Sequence, residues 1–223
     1  MEIIYTKDNL GKEILVNTTT EEQVMMEWEK PYMIECVNKL NPRGNVLEIG
    51  FGLGYSARQL CSFPEVTSYT VVESESIVWD KFELFKKEIN NLRPELQLTL
   101  IKKRWEDAFP ELTTYDTIFF DDFPYEKYNS LYPYDKKLRL KYFIHTCLLN
   151  HTTIGSSIGY YLSFQSDFKY LDCVESTIYP YETSVPENCG YKKDNKTMFI
   201  PIITKIKEPE DNFYERYIHQ FKD

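Results

Sequence analysis

The chain has 223 residues, of which 42% are hydrophobic and 16% aromatic, and its formal net charge is −9. This length and apolar content predict one domain over residues 1–223, built around a single large core. The negative charge argues against binding to nucleic acid or to an acidic membrane surface, because both need clustered Lys and Arg. Within the domain we expect an N-terminal hairpin or lid (1–20), a core (21–207) and a helical tail (208–223).

The cysteine pattern and the N-terminus predict where the protein resides. The five cysteines are scattered and never spaced C-x-x-C, which predicts neither a metal site nor a disulfide framework. The N-terminal residues lack the apolar stretch of a signal peptide, and no run approaches the ~20 apolar residues that cross a bilayer. We therefore expect a cytoplasmic protein without a metal ion.

The hydrophobic pattern predicts alternating strands and helices after an N-terminal hairpin. The hairpin is expected at Glu2–Tyr5 and Glu13–Val16, followed by a helix over Glu21–Leu40 that ends at Asn41-Pro42-Arg43-Gly44. The alternation that follows has predicted strands at 45–49, 67–73, 97–102, 115–121 and 154–161, and helices at 54–62, 76–91 and 136–150. Such alternation predicts an α/β fold with a mostly parallel sheet covered by helices on both faces.

The C-terminal part of the pattern differs. Two predicted strands, Val174–Glu182 and Lys196–Ile206, are joined by a turn-rich stretch, so we expect them to pair antiparallel at one edge of the sheet. In the last segment Phe213, Tyr217 and Phe221 fall on one face of a helix. We expect this face to dock on the body of the protein or on a second copy, as in a homodimer.

Acidic residues and glycines mark the ends of the predicted strands. Ligands of parallel sheets bind at these carboxyl ends. The segment from Glu48 to Gly54 has the pattern E-x-G-x-G-x-G, whereas Tyr55 excludes the dinucleotide motif G-x-G-x-x-G. Glycines let the main chain turn sharply and approach a ligand, and Glu73 at the next strand end suits hydrogen bonds to ribose hydroxyls. The alternative is a tight turn that binds no ligand.

These features resemble a class I S-adenosylmethionine-dependent methyltransferase, and further motifs narrow the resemblance. The motifs resemble the guanidinoacetate N-methyltransferase family and its arginine N-methyltransferase relatives: VMMEWEKPYM (24–33), RGNVLEIGFG (43–52), RWEDAFP (104–110), YDTIFFDDFP (115–124), SVPENCGY (184–191) and MFIPIITK (198–205). The resemblance implies a Rossmann-like fold with a seven-stranded sheet and S-adenosylmethionine as cofactor. It also implies methylation of a guanidino nitrogen on a small molecule such as guanidinoacetate or arginine.

By position in these motifs, Glu29 and Asp121 would be the carboxylates that hold the guanidinium. A guanidinium is a planar fork of N–H donors that a carboxylate binds bidentately. Because this cation has a pKa above ~12 and no available lone pair, a base must remove a proton during transfer. We assign this role to Asp121 and an orienting role to Glu29. The alternatives are a solvated helix face for Glu29 and a turn cap for Asp121.

The resemblance also implies roles for other residues. The cofactor would contact the glycine loop and strand ends (Glu48, Gly50, Gly52, Gly54, Glu73), its methionyl part Tyr32 and Met33, and its adenine Trp105 and Glu106. The main-chain amides near Leu162 and Ser163 would hold a carboxylate of the acceptor, and His145 aligns with a histidine of the family. Core packing is the alternative for Tyr32, Met33 and Trp105, and a structural role is the alternative for His145. Asp122 stands where relatives often have a small polar residue.

Two other functions stay open from the sequence. A spermidine-synthase-like aminopropyltransferase shares the sheet and an aspartate after a similar strand, but it lacks the W-E-x-P-Y-M motif. A catalytically silent methyltransferase fold could serve as a binding protein, although its acids and glycines are intact. Asn150-His151-Thr152-Thr153 replaces the family's Lys-Pro-Gly-Gly turn, which leaves the tail of the acceptor undetermined.

Overall fold

A small antiparallel sheet forms the N-terminus of the computed structural model, which describes residues 3–123, 136–162, 168–190 and 197–218. Its strands, in spatial order, are β1 (Ile3–Lys7), β2 (Glu13–Asn17) and β3 (Glu22–Met26). The first turn is closed by Asp8, whose side chain accepts the main-chain N–H groups of Leu10 and Lys12, both at 2.9 Å. The predicted hairpin is therefore confirmed, and a third strand extends it.

The helix predicted over Glu21–Leu40 is wrong in its first part. Residues 22–26 pair with β2, residues 27–29 form a 3-10 turn, and the helix α1 spans Lys30–Leu40. Strand pairing buries Met25 and Met26, which outweighs the helical preference of the surrounding acids. Proline in the first turn of α1 suits a helix start, since a helix leaves its first N–H groups unpaired.

The central sheet has seven strands. They are β4 (Gly44–Ile49), β5 (Val66–Val72), β6 (Gln97–Ile101), β7 (Tyr115–Phe120), β8 (Thr152–Tyr160), β9 (Val174–Glu182) and β10 (Thr197–Lys205). Their order is β6-β5-β4-β7-β8-β10-β9. The first five are mutually parallel, whereas β10 is antiparallel to both β8 and β9. This arrangement confirms the predicted Rossmann-like α/β sheet with an antiparallel edge pair.

Helices cover both faces of this sheet. Besides α1 they are α2 (Tyr55–Leu60), α3 (Ser76–Leu92), α4 (Trp105–Ala108), α5 (Lys136–Asn150) and α6 (Phe213–Tyr217). Successive strand residues belong to different core clusters: Val71 packs with residues of α1 to α3, and Val72 packs with residues of α4 to α6. Because alternate side chains of a strand point to opposite faces, these two clusters are the two halves of the core.

The C-terminal segment packs on the body of the protein. Phe213 is 2% exposed and, with Tyr217, packs against the ring of His145 on α5. The helix is shorter than expected, since α6 has five residues, and Phe221 lies outside the described residues. In the parts of the chain that the structure describes, no helix has the length and apolar character needed to cross a membrane.

Candidate active site

A cavity of about 200 Å³ lies at the carboxyl ends of the parallel strands. Its lining comes from residues that follow β4, β5, β6, β7 and β8, together with residues of β2, β3 and α5. The strand order reverses between β4 and β7, and such switch points are where open α/β sheets bind ligands. The cavity is therefore at the place where this topology leaves room for a ligand.

The loop after β4 requires glycine at Gly50. Its φ is +81°, and a Cβ atom there would lie 2.2 Å from the main-chain oxygen of Asp121. Gly52, with φ +50°, lies close to β3, because a Cβ would stand 2.8 Å from the sulfur of Met25. Both glycines line the cavity, so the loop presents bare main chain to it. Gly54, at the start of α2, does not line it.

Glu73 ties the glycine loop to the end of β5. Its Oε2 accepts the N–H of Phe51 at 2.9 Å, and its Oε1 accepts the N–H of Glu75 at 2.8 Å. Burial raises the pKa of Glu73, and the hydrogen bonds from Glu75 and Phe51 partly oppose that rise. A carboxylate has about four lone-pair sites, so Glu73 keeps capacity to accept hydrogen bonds from a ligand in the cavity.

Glu48 lies beneath the glycine loop and does not line the cavity, contrary to the expectation of cofactor contact. It is 0% exposed and hydrogen-bonded to the hydroxyl groups of Tyr69 and Ser56. Burial raises its pKa to about 8, against these hydrogen bonds and with a further contribution from the nearby Glu73. Its contacts support the fold of the loop from below.

Glu29 and Asp121 face the same end of the cavity. Glu29, 3% exposed, accepts the N–H of Met26 at 2.9 Å, and the hydroxyl of Tyr161 is hydrogen-bonded to it. Burial raises the pKa of Asp121, and the next largest cause is the charge of Glu29. The further charges that raise this pKa are also those of acids. This part of the cavity therefore favours a cation.

A charged cluster occupies the other end, after β6. Arg139 of α5 donates from Nε and Nη2 to Oδ2 of Asp122, at 2.9 and 2.6 Å, and from Nη1 to Oε1 of Glu106 at 2.7 Å. Its guanidinium lies over Trp105, 5.2 Å from the ring centroid. Arg104 also donates to Glu106, at 2.9 Å. The acids at this end are thus held by arginine.

Tyr32 and Met33 do not line the cavity, although contact with the methionyl part of a cofactor was expected. Both are 0% exposed and belong to the core. The hydroxyl of Tyr32 accepts the N–H of Leu162 at 3.1 Å and donates to the carbonyl of Phe199 at 2.7 Å. Leu162 lines the cavity, but its amide is engaged by Tyr32. Ser163 lies outside the described residues.

His145 is placed away from the cavity lining, in the core beside α6. Its Nδ1 is hydrogen-bonded to the carbonyl of Tyr217 at 3.0 Å, and its Nε2 to the hydroxyl of Tyr170 at 2.9 Å. Burial lowers its pKa to about 4, so the ring is neutral near pH 7. These contacts favour the structural role that the sequence left open for His145 over contact with the acceptor.

The family follows from a match to the sequence. A model of the guanidinoacetate N-methyltransferase family matches residues 13–160, which is more than half of the chain. The chain belongs to this family. The matched range contains the glycine loop, Glu29, Glu73 and Asp121, so the cavity described above is built largely from residues of the family's shared region.

Solved structures with the same fold include O-methyltransferases and a spermidine synthase. Spermidine synthase from Thermotoga maritima is 13% identical, with a TM-score of 0.56 over 99% of this chain and 80% of that chain. The O-methyltransferase TomG from Streptomyces achromogenes, in complex with SAM, is 12% identical, with a TM-score of 0.53 over 80% of each chain. The Bacillus cereus O-methyltransferase in complex with SAH is 15% identical, with a TM-score of 0.53 over 81% of this chain and 82% of that chain. At these identities the likeness shows the fold alone.

Three residues of this family member's cavity were not predicted from its sequence. Arg139 lies on a helix, where a basic residue is ordinarily solvated, and only the tertiary fold brings it to Asp122. Met25 was assigned to a helix, whereas on β3 its sulfur accepts the N–H of Leu53 at 3.3 Å. Tyr161 follows β8 and reaches Glu29. The unusual acid at Asp122 was the one sequence signal that a buried cation lay nearby.

Proposed function

We propose that the protein transfers a methyl group from S-adenosylmethionine to a guanidino nitrogen of a small acceptor, such as guanidinoacetate or arginine. The methyl donor follows from the family to which the chain belongs. The observation that carries the choice of acceptor is the pair of carboxylates at one end of the cavity, the buried Glu29 and the half-buried Asp121. A planar cation with N–H donors on both edges fits such a pair.

The residues at the strand ends suit the donor. Gly50 and Gly52 let the main chain approach its methionyl part, Glu73 would accept the ribose hydroxyls, and Glu106 would face the adenine. Within the described part of the chain, Oε2 of Glu106 is buried and has no hydrogen-bond partner. An N–H group of a ligand would supply the missing hydrogen bond. When bound, S-adenosylmethionine supplies an electrophilic methyl group on a sulfonium.

Glu29 and Asp121 would bind the acceptor by its charge and shape. Burial is the main cause of the raised pKa of Asp121 and the charge of Glu29 is the next, and a guanidinium between the two carboxylates would relieve this second contribution. The hydroxyl of Tyr161 and the N–H of Met26 fix the carboxylate of Glu29, which can then aim one nitrogen of the acceptor. Holding the reacting atoms in line supplies much of the rate enhancement in such a transfer.

Asp121 is the base in this proposal. A guanidinium nitrogen has no free electron pair until its N–H bond is broken, so Asp121 takes that proton while the nitrogen binds the methyl carbon and the carbon–sulfur bond breaks. A base works best when its pKa lies near the working pH. Burial raises the pKa of Asp121 above that of an exposed aspartate, which makes its carboxylate a stronger base.

The test is methyl transfer from labelled S-adenosylmethionine to guanidinoacetate, arginine, agmatine and an arginine peptide. Wild type is compared with Asp121→Asn and with Asp80→Asn, an exposed aspartate on α3 that serves as a matched control. Turnover of a small guanidine that Asp121→Asn abolishes and Asp80→Asn retains supports the proposal. Tight binding of S-adenosylhomocysteine without turnover of any guanidine overturns it and favours a silent binding protein.

A second arm of the same experiment addresses aminopropyl transfer. The fold likeness to spermidine synthase extends over nearly the whole chain, so putrescine with decarboxylated S-adenosylmethionine is included. Product in this arm alone would replace methyl transfer by aminopropyl transfer. We expect no aminopropyl product, because the chain matches the guanidinoacetate N-methyltransferase family. The matched range includes Glu29, which lies before the central sheet and which we assign to the guanidino acceptor.

A further inference from the structure

Arg139 is held rigidly at the end of the cavity after β6. The residue is 5% exposed and makes two hydrogen bonds to Asp122 and one to Glu106. Its guanidinium also lies over the ring of Trp105. The guanidinium of Arg139 is hydrogen-bonded along two of its edges and stacked on one face, so it keeps a single orientation. The positions of Asp122, Glu106 and Trp105 therefore depend on each other.

The hydrogen bonds to Glu106 all reach the same oxygen. Oε1 accepts from Arg139 at 2.7 Å and from Arg104 at 2.9 Å. Oε2 is buried, and among the described residues no donor reaches it. Buried polar atoms in folded proteins nearly always have a partner. The two arginines therefore turn Glu106 so that one oxygen is satisfied by the protein and the other is left for a ligand N–H group in the cavity that Glu106 lines.

Asp122 holds Arg139 in place. Arg139 donates two hydrogen bonds to its Oδ2, and the charge of the arginine opposes the rise in the pKa of Asp122 that burial causes. A buried carboxylate without such a partner would be strongly destabilising. Asp122 and Arg139 thus form a unit in which the aspartate anchors the arginine and the arginine orients Glu106.

We propose that Arg139 is a positioning residue for the purine of the cofactor: anchored by Asp122, it presents one oxygen of Glu106 to the exocyclic amino group of adenine. The inference rests on the proposed binding of S-adenosylmethionine with its adenine at this end of the cavity. It makes Arg139 a determinant of selectivity for an aminopurine over an oxopurine, because a buried acceptor rejects a ligand that lacks the matching donor.

The experiment measures binding of two cofactor products by calorimetry, without any acceptor. The ligands are S-adenosylhomocysteine and S-inosylhomocysteine, in which a carbonyl replaces the amino group. The proteins are wild type, Arg139→Met, Arg139→Lys, Asp122→Asn and Glu106→Gln. Arg58→Met is the matched control, since Arg58 is an exposed arginine paired with Glu88.

We expect wild type to prefer the adenosyl ligand by at least about tenfold. Arg139→Met should weaken adenosyl binding by at least about tenfold and bring the preference close to one, because Glu106 loses its orientation. Asp122→Asn should do the same to a smaller extent, Arg139→Lys should retain part of the preference, and Arg58→Met should keep all of it.

Equal weakening of both ligands in Arg139→Met and Asp122→Asn would overturn the inference and leave Arg139 with a role in the fold alone. Absence of a preference in wild type, or a full preference in Glu106→Gln, would also overturn it, because the adenine amino group would not then meet Glu106. These outcomes are independent of methyl transfer, since no acceptor is present. Failure of the proposed function with guanidines would instead appear only in the turnover assay.

Discussion

Acidic side chains line both ends of the cavity, and among the described residues the acids at one end, Asp122 and Glu106, are bound by an arginine. Asp121 and Asp122 are neighbours at the end of β7 and show the difference. The charges that act most on Asp121 belong to acids, with Glu29 first, whereas Asp122 is bound twice by Arg139. Burial raises the pKa of both carboxyl groups, and for Asp122 the arginine opposes that rise.

This difference indicates what each end binds. Carboxylates whose charges repel each other, as those of Glu29 and Asp121 do, are stabilised by a ligand that brings positive charge, as a guanidinium does. Carboxylates already paired with arginine have no such need, and they suit a neutral group that accepts or donates hydrogen bonds, as an adenine does. Under the proposed function, the placement of Arg139 would therefore separate the end that binds a charged acceptor from the end that binds an uncharged ring.

The largest expected effect on activity comes from removing the negative charge of Asp121, compared with removing that of its neighbour Asp122. Asp121→Asn should lower kcat by about 100-fold or more, because a general base contributes factors of that size. Asp122→Asn should lower kcat by less than about tenfold and act mainly on cofactor affinity. Steady-state kinetics with a saturating guanidine acceptor, and calorimetry with S-adenosylhomocysteine, measure the two quantities. Equal losses of kcat in both variants would contradict the separation of the two ends.

Glu29→Gln should act on acceptor binding. The amide oxygen can still accept the N–H of Met26, but the charge that binds the cation is lost. A hydrogen bond to a charged group contributes about 1.5–3 kcal/mol, so KM for the acceptor should rise by at least about tenfold while cofactor affinity stays the same. Glu22→Gln, at an exposed position on β3, is the control. A lower kcat at unchanged KM would instead make Glu29 the base.

Most of the fold could be predicted because buried parallel strands are apolar runs bounded by turn residues. The predicted strand 115–121 and the observed Tyr115–Phe120 differ by one residue, and helix 136–150 has the predicted bounds. The segment 21–29 could not be predicted in this way. Its acids favour a helix, but pairing with β2 makes part of it a strand, and that pairing depends on residues far from a local window.

The candidate site was partly predictable for a related reason. Acids at strand ends converge in any parallel sheet, so Glu73 and Asp121 could be placed at one edge without knowledge of the side-chain packing. For Tyr32, Met33 and His145 the sequence left both a site role and a structural role open, because helix residues reach the cavity or the core according to how the helix is rotated. The same uncertainty concealed Arg139 on α5.

Glu48 extends the comparison to a buried acid outside the cavity. Its pKa is about 8 in the folded protein and near 4.5 when unfolded, so the folded state holds an additional proton between these values. The free energy of unfolding should therefore fall as pH rises from 4.5 to about 8. Glu48→Gln, which can still accept the hydroxyl of Tyr69, should be more stable than wild type at pH 9, by at most about 5 kcal/mol. The difference in the free energy of unfolding between the two proteins, measured by urea denaturation, should disappear toward pH 4.5. A difference that stays constant with pH would contradict this prediction.

The smallest effect on activity is expected at His145, which belongs to neither end of the cavity. Its two ring nitrogens bind Tyr217 and Tyr170, and burial keeps the ring neutral, so it offers no charge to a carboxylate of the acceptor. His145→Gln should lower the free energy of unfolding by about 1 kcal/mol through these lost contacts, while kcat/KM stays within about twofold. Thermal unfolding and acceptor kinetics separate the two effects. A tenfold rise in acceptor KM at unchanged stability would return His145 to the acceptor site, and the uncharged contacts observed around its ring argue against that result.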